Sequence, residues 1–97
     1  TPTEIMAAHR AGASFVKLFP IADLGSKYVK AVRAPISHVK LLAVGGVNEN
    51  NLKEFFAAGC VGAGIGGNLV NKAWIDAGEY NKITETARML VEIAKES

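Results

Sequence analysis

Phe15-Val16-Lys17-Leu18-Phe19-Pro20 is a short apolar run with one charge at its centre and a proline at its end. Side chains alternate between the two faces of a strand. A strand over 15–19 therefore places Phe15, Lys17 and Phe19 on one face, and Val16 and Leu18 on the other. If both faces are covered, Lys17 sits in an apolar interior, flanked along the strand by two aromatic rings. Burial penalises an ammonium group, and a neutral lysine amine is a nucleophile able to form a Schiff base with a carbonyl. The competing explanation is a strand-end lysine that covers its stem and keeps its charged head in water.

Working outward, Thr1-Pro2-Thr3-Glu4 reads as a capping box opening a helix over Pro2–Arg10, which stops near Gly12. After Pro20 comes a loop, Ile21–Gly25, containing Asp23, and then a helix over Ser26–Ala34 with Tyr28, Val29 and Val32 as its apolar stripe. Lys40–Val44 is the next strand. Its unbroken apolar run predicts cover on both faces, as in parallel sheets. Asn48 is the expected cap of a helix over Glu49–Ala58, with Leu52, Phe55 and Phe56 inward.

A glycine-rich strand over Cys60–Ile65 follows, then a short helix over Lys72–Asp76 containing Trp74. The last helix, Glu79–Lys95, carries Tyr80, Ile83, Ala87, Leu90, Val91 and Ala94 at helical spacing. The predicted order is α-β-α-β-α-β-α-α. Alternating helices and short strands mean parallel βαβ units, an α/β fold in a single unit over residues 1–97. The grammar of Ala11–Lys17, helix stop then glycine then strand, recurs 47 residues later at Ala58–Gly64.

Composition excludes several functions. A formal charge of +2 with interspersed lysines and acids gives no footprint for nucleic acid or an anionic membrane. No apolar stretch approaches the roughly 20 residues that span a bilayer. The single cysteine, Cys60, cannot form an internal disulfide, which fits a reducing, cytoplasmic setting. The chain opens at Thr1 on a helix-initiation signal, as expected of a cut inside a longer protein.

Two glycine pairs carry the remaining signal. Gly45-Gly46 and Gly66-Gly67 each follow a strand and precede a helix start. Glycine lets backbone approach a ligand closely, and free amides there bind anions. Two such turns on successive strands, with a short extra helix after the second, match the phosphate site of (β/α)8 barrels. The bland explanation is tight turns that need glycine. Gly62-Ala63-Gly64-Ile65-Gly66-Gly67 also spells G-x-G-x-x-G, but most of it lies inside the predicted strand and no later strand exists to supply the acidic partner. Its glycines make room on an inner sheet face instead. His9 and His38 are read as packing or structural residues, too far apart in sequence to suggest a metal site.

A strand lysine followed by two glycine turns on the next two strands resembles the C-terminal part of the 2-dehydro-3-deoxy-phosphogluconate (KDPG) / 4-hydroxy-2-oxoglutarate (KHG) aldolase family. The match rests on Thr1-Pro2-Thr3-Glu4-Ile5, Phe15–Pro20, Gly45-Gly46-Val47 and Ile65-Gly66-Gly67. It implies strands six to eight of a TIM (β/α)8 barrel, in a lyase of class I type that needs no metal or cofactor. By that resemblance Lys17 is the Schiff-base lysine and Phe19 packs against substrate. Gly45, Gly46, Gly66, Gly67 and Asn68 hold its phosphate, largely through backbone amides. The implied reaction cleaves 2-dehydro-3-deoxy-6-phosphogluconate to pyruvate and glyceraldehyde 3-phosphate, and 4-hydroxy-2-oxoglutarate to pyruvate and glyoxylate. The implied setting is Entner–Doudoroff carbohydrate metabolism in a cytoplasmic homo-oligomer, a trimer.

Some family members have threonine where this chain has Val44, and serine where it has Asn68. The family's glutamate acid/base and its carboxylate-binding arginine belong to earlier strands. Asp23 and Glu49 are better read as solvated acids. The chain alone is therefore expected to be inactive without the N-terminal part of the same barrel. Two rivals stand beside this: another phosphate-binding (β/α)8 isomerase or synthase, and a non-catalytic α/β module that self-associates through its sheet edges.

Overall fold

The capping box forms. Thr1 Oγ1 accepts the Glu4 backbone N–H at 3.2 Å, and the Glu4 carboxylate accepts from the Thr1 ammonium at 3.1 Å. Helix α1 then runs Pro2–Arg10 in the computed structural model, which describes residues 1–97. Ile5 is its buried anchor, facing strand β1, Val16–Leu18.

β1 pairs in parallel with β2, Leu41–Val44, which pairs in parallel with β3, Gly62–Gly64, in the order β1-β2-β3. Lys17 lies opposite Leu42, and Leu42 opposite Gly62. Val16, Leu18, Leu41 and Ala43 point to the side buried under the helices. On the other side Lys17 is exposed, and Leu42 and Val44 are half-buried. Phe15 and Phe19, flanking β1, are 52% and 64% exposed. The cover expected on both faces of β1 and β2 is thus present on one face only, because the chain supplies helices to that side alone. Gly62 and Gly64 do make room on the open face. A Cβ at either would come within 2.9 Å of Leu42 Cδ2 or 3.1 Å of Val44 Cγ2.

Helix α3, Ser26–Arg33, buries Val29 and Val32 as predicted. The stretch expected to be a loop after Pro20 is instead a short helix, α2, Ile21–Leu24. Tertiary contacts hold it: Ile21 is fully buried, and the Ala22 N–H donates to the Gly45 carbonyl at 3.0 Å. The element order is therefore α-β-α-α-β-α-β-α-α.

Helix α4, Leu52–Ala58, starts later than Glu49, with Asn51 rather than Asn48 at its N-cap. Residues 48–51 form a turn, in which Asn51 Oδ1 accepts the Asn48 N–H. Helix α5, Lys72–Asp76, matches expectation, and Asn71 caps it by accepting the Trp74 N–H. Helix α6, Tyr80–Lys95, packs on α4 and α5. Of its predicted stripe, Leu90 is buried, but Tyr80 and Val91 are exposed, because the helix contacts only one flank of the assembly. The repeat seen in the sequence is structural: Gly12 and Gly59 follow α1 and α4 in the same backbone region, at φ 97° and 116°.

The 16 buried residues are all apolar and form one cluster between the sheet and its helices. No helix is long and apolar enough to cross a membrane.

Candidate active site

The β2 exit is built on positive φ, 96° at Gly45 and 74° at Gly46, which side chains rarely adopt. The turn is also crowded, since a Cβ on Gly46 would come within 2.6 Å of Ala22 Cβ. Turn chemistry therefore explains this pair in part. It does not explain the second pair. Gly66 and Gly67 lie outside the positive-φ region, and a Cβ on either would meet nothing within 4 Å. Neither backbone geometry nor packing within the chain requires glycine there.

The two turns meet in one cleft of about 400 Å³, lined by Phe19, Val44–Val47 and Gly64–Asn68. Every predicted phosphate-binding residue is in it, and so is Phe19. Carbonyls in the first turn are engaged: Gly45 O by Ala22 N–H, Gly46 O by Asn51 Nδ2 at 2.9 Å, and Val47 O by Asn68 Nδ2 at 2.9 Å. The backbone N–H groups of Gly45, Gly46, Val47, Gly66, Gly67 and Asn68 donate to no group of the chain. No lysine, arginine or histidine lines the cleft. An anion there would be held by amide dipoles, as in backbone nests.

Lys17 lies beside this cleft rather than in it. Its ammonium is 5.0 Å from the centre of the Phe19 ring, a cation–π distance. It also lines a groove of about 320 Å³ along the free edge of β1, with Phe19 shared between groove and cleft. One rung lower on the open face, the Lys40 ammonium lies 5.6 Å from the Phe15 ring centre. Asp23 and Glu49 are exposed and line neither space, in keeping with solvated acids. A separate hollow of about 280 Å³ between α4, β3 and α6 is lined by nine apolar residues and has no polar group to orient a substrate.

His9 and His38, distant in sequence, meet edge to face with ring centres 4.9 Å apart. No group of three or more His, Cys, Asp or Glu is placed to hold a metal. Sequence reasoning missed Ala22 and Asn51 as partners of the first turn. The sequence points to Asn48 as the helix cap, and the part played by the Asn51 side chain depends on how the turn folds back on Gly46 and Asn48.

A family model described as KDPG and KHG aldolase matches residues 1–86. The chain belongs to that family. It is 44% identical over 70 residues to 2-dehydro-3-deoxy-6-phosphogalactonate aldolase of Escherichia coli K12, covering 71% of this chain and 34% of that protein. It is 36% identical over 97 residues to KHG/KDPG aldolase of the same organism, covering 98% of this chain and 45% of the relative. A solved structure described as native KDPGal superimposes with a TM-score of 0.87 at 35% identity, over 99% of this chain and 45% of that one. The parallel α/β arrangement is thus that of an aldolase of this family. The chain spans less than half the length of these relatives.

Proposed function

We propose that these 97 residues are the Schiff-base and phosphate-binding part of a class I aldolase, the C-terminal portion of a (β/α)8 barrel. The substrate is a 2-dehydro-3-deoxy-6-phospho sugar acid, the gluconate or its galactonate counterpart, and 4-hydroxy-2-oxoglutarate is a second candidate. The observation that carries this is the junction at Phe19. The Lys17 ammonium lies 5.0 Å from the centre of its ring, and the same residue lines the cleft of unengaged amides.

Lys17 Nζ attacks the C2 ketone, and loss of water leaves a protonated imine. The C3–C4 bond then breaks as the C4 hydroxyl gives up its proton. The electron pair moves into the imine, forming an enamine of pyruvate and releasing glyceraldehyde 3-phosphate. Proton return to C3 and hydrolysis release pyruvate and free Lys17. The glycine cleft holds the phosphate, and Phe19 borders the carbon chain between the two ends. The acid/base group comes from outside these residues, and three strands cannot close a barrel. The isolated chain therefore lacks turnover and needs the rest of the barrel, which assembles as a cytoplasmic homotrimer.

The test is pyruvate–borohydride trapping in a full-length barrel carrying these residues, followed by peptide mapping. A pyruvate adduct on Lys17 is expected. An unmodified Lys17 in a barrel that still turns over substrate would overturn the assignment. Turnover by the 97-residue chain alone would overturn the partition of the site.

A further inference from the structure

We propose that Asn51 and Asn68 are positioning residues that turn the glycine cleft into an anion site by taking up its carbonyl oxygens. This rests on the phosphate-binding reading above. The cleft has no cationic side chain, so its sign depends on which backbone groups it presents. In a trans peptide the N–H points opposite to the carbonyl. Asn51 Nδ2 holds the Gly46 oxygen, so the Val47 N–H on the same peptide plane is directed away from that partner. Asn51 Oδ1 meanwhile takes the Asn48 N–H at 2.8 Å, clamping the turn at both ends.

Asn68 acts across the fold. Its side chain reaches Val47, 21 residues away, and ties the β3 exit to the β2 exit. The unengaged amides of Gly66, Gly67 and Asn68 are thereby held beside those of Gly46 and Val47. Both tasks require a neutral donor. An ionised carboxylate of the same shape has none, and sets a negative charge against a carbonyl. The side chain of Asn68 is therefore committed to the loop, and its backbone N–H is what it offers a phosphate.

The probe is sulfate, which stays doubly charged across the pH range used, titrated into the full-length barrel carrying these residues. Amide NMR shifts of Gly46, Val47, Gly66 and Gly67 report binding, and those of Val29 and Leu41 report the fold. The unsubstituted barrel is expected to show saturable shifts at both turns. Asn68→Ala weakens sulfate about tenfold, the order of one lost hydrogen bond. Asn68→Asp weakens it further at neutral pH and recovers as pH falls to about 4, where the carboxyl regains a donor.

Charge repulsion alone would reproduce the pH recovery but leave Asn68→Ala unchanged, and that result overturns the proposal while leaving the anion site intact. A folded barrel that shows no sulfate shifts overturns both. Asn51→Asp keeps the acceptor for Asn48 N–H, loses the donor to Gly46 O and adds a negative charge beside the turn. Should Asn68→Ala fail to fold, an Asn51→Asp variant with unchanged sulfate affinity overturns the proposal equally.

Discussion

Gly45 is packed against Phe19: a Cβ on Gly45 would lie 2.8 Å from Phe19 Cδ2 and 2.9 Å from Pro20 Cα. The glycine therefore seats the aromatic ring shared by the Lys17 groove and the glycine cleft. Gly45→Ala adds this clash to a strained positive φ. It should destabilise the fold by about 1–3 kcal/mol. Urea denaturation followed by circular dichroism measures it, and a loss below half a kcal/mol would show that Phe19 moves aside freely.

Gly67→Ala is the contrasting case. The added methyl meets nothing within 4 Å, and the backbone there is not left-handed. Stability should change by no more than about 0.5 kcal/mol, as at ordinary surface positions. Sulfate or phosphate affinity should fall, because the methyl lies where an anion would approach the turn amides. Unchanged anion affinity in this variant would remove the second glycine pair from the binding site.

Arg33 fastens the connection into β2. Its Nη1 donates to the carbonyls of Ser37 at 2.8 Å, Val39 at 3.0 Å and Ile36 at 3.4 Å. It also lies against Gly59, whose Cβ would meet Arg33 Nε at 2.8 Å. Arg33→Ala leaves part-buried carbonyls without their donor and should cost about 1–2 kcal/mol. Arg33→Lys should recover only part of this, since the lysine side chain ends one atom short of the Nη1 position from which all three bonds are made. Thermal melts of the two variants side by side give the comparison.

Cys60 supplies a pH dependence. Burial pushes its thiol above the ordinary value of 9.0, and the Arg33 guanidinium opposes this with a smaller effect. The folded state thus keeps a proton that the unfolded chain gives up. This contribution to stability is fully present below about pH 8.5–9 and is lost as pH rises toward the folded value. Denaturation midpoints should fall between pH 8 and about pH 10, and Cys60→Ala should flatten that part of the profile. A slope identical in both proteins would assign the alkaline loss to other groups.

Helix α1 could be placed from sequence because its cap is local: Thr1 and Glu4 are three residues apart and complete each other. Helix α2 could not. Four residues between Pro20 and Gly25 show no periodicity, and what holds them is the burial of Ile21 and a hydrogen bond to Gly45, both non-local. In the site, glycine announces itself, so both turns were legible. The work of Asn51 and Asn68 was not, since a carboxamide's partner depends on which loops the fold brings together. The openness around Lys17 was hidden for a related reason. An apolar strand looks the same whether its second cover comes from its own chain or elsewhere.

The register of β1 on β2 acts as a ruler. Lys17 is level with Leu42, and the turn amides begin at Gly45, three residues further on and just past the end of β2. At about 3.3 Å per residue that offset is roughly 10 Å, shortened by the reach of the lysine side chain. The side chain can flex, but the strands cannot slip by one residue without reversing which faces are buried. With Lys17 taking a carbonyl and the amide cradle a phosphate, as proposed, the sheet would sort ligands by the distance between those two groups before any side chain tests their stereochemistry. Moving the phosphate by one carbon would misplace it, whatever the affinity of the cradle.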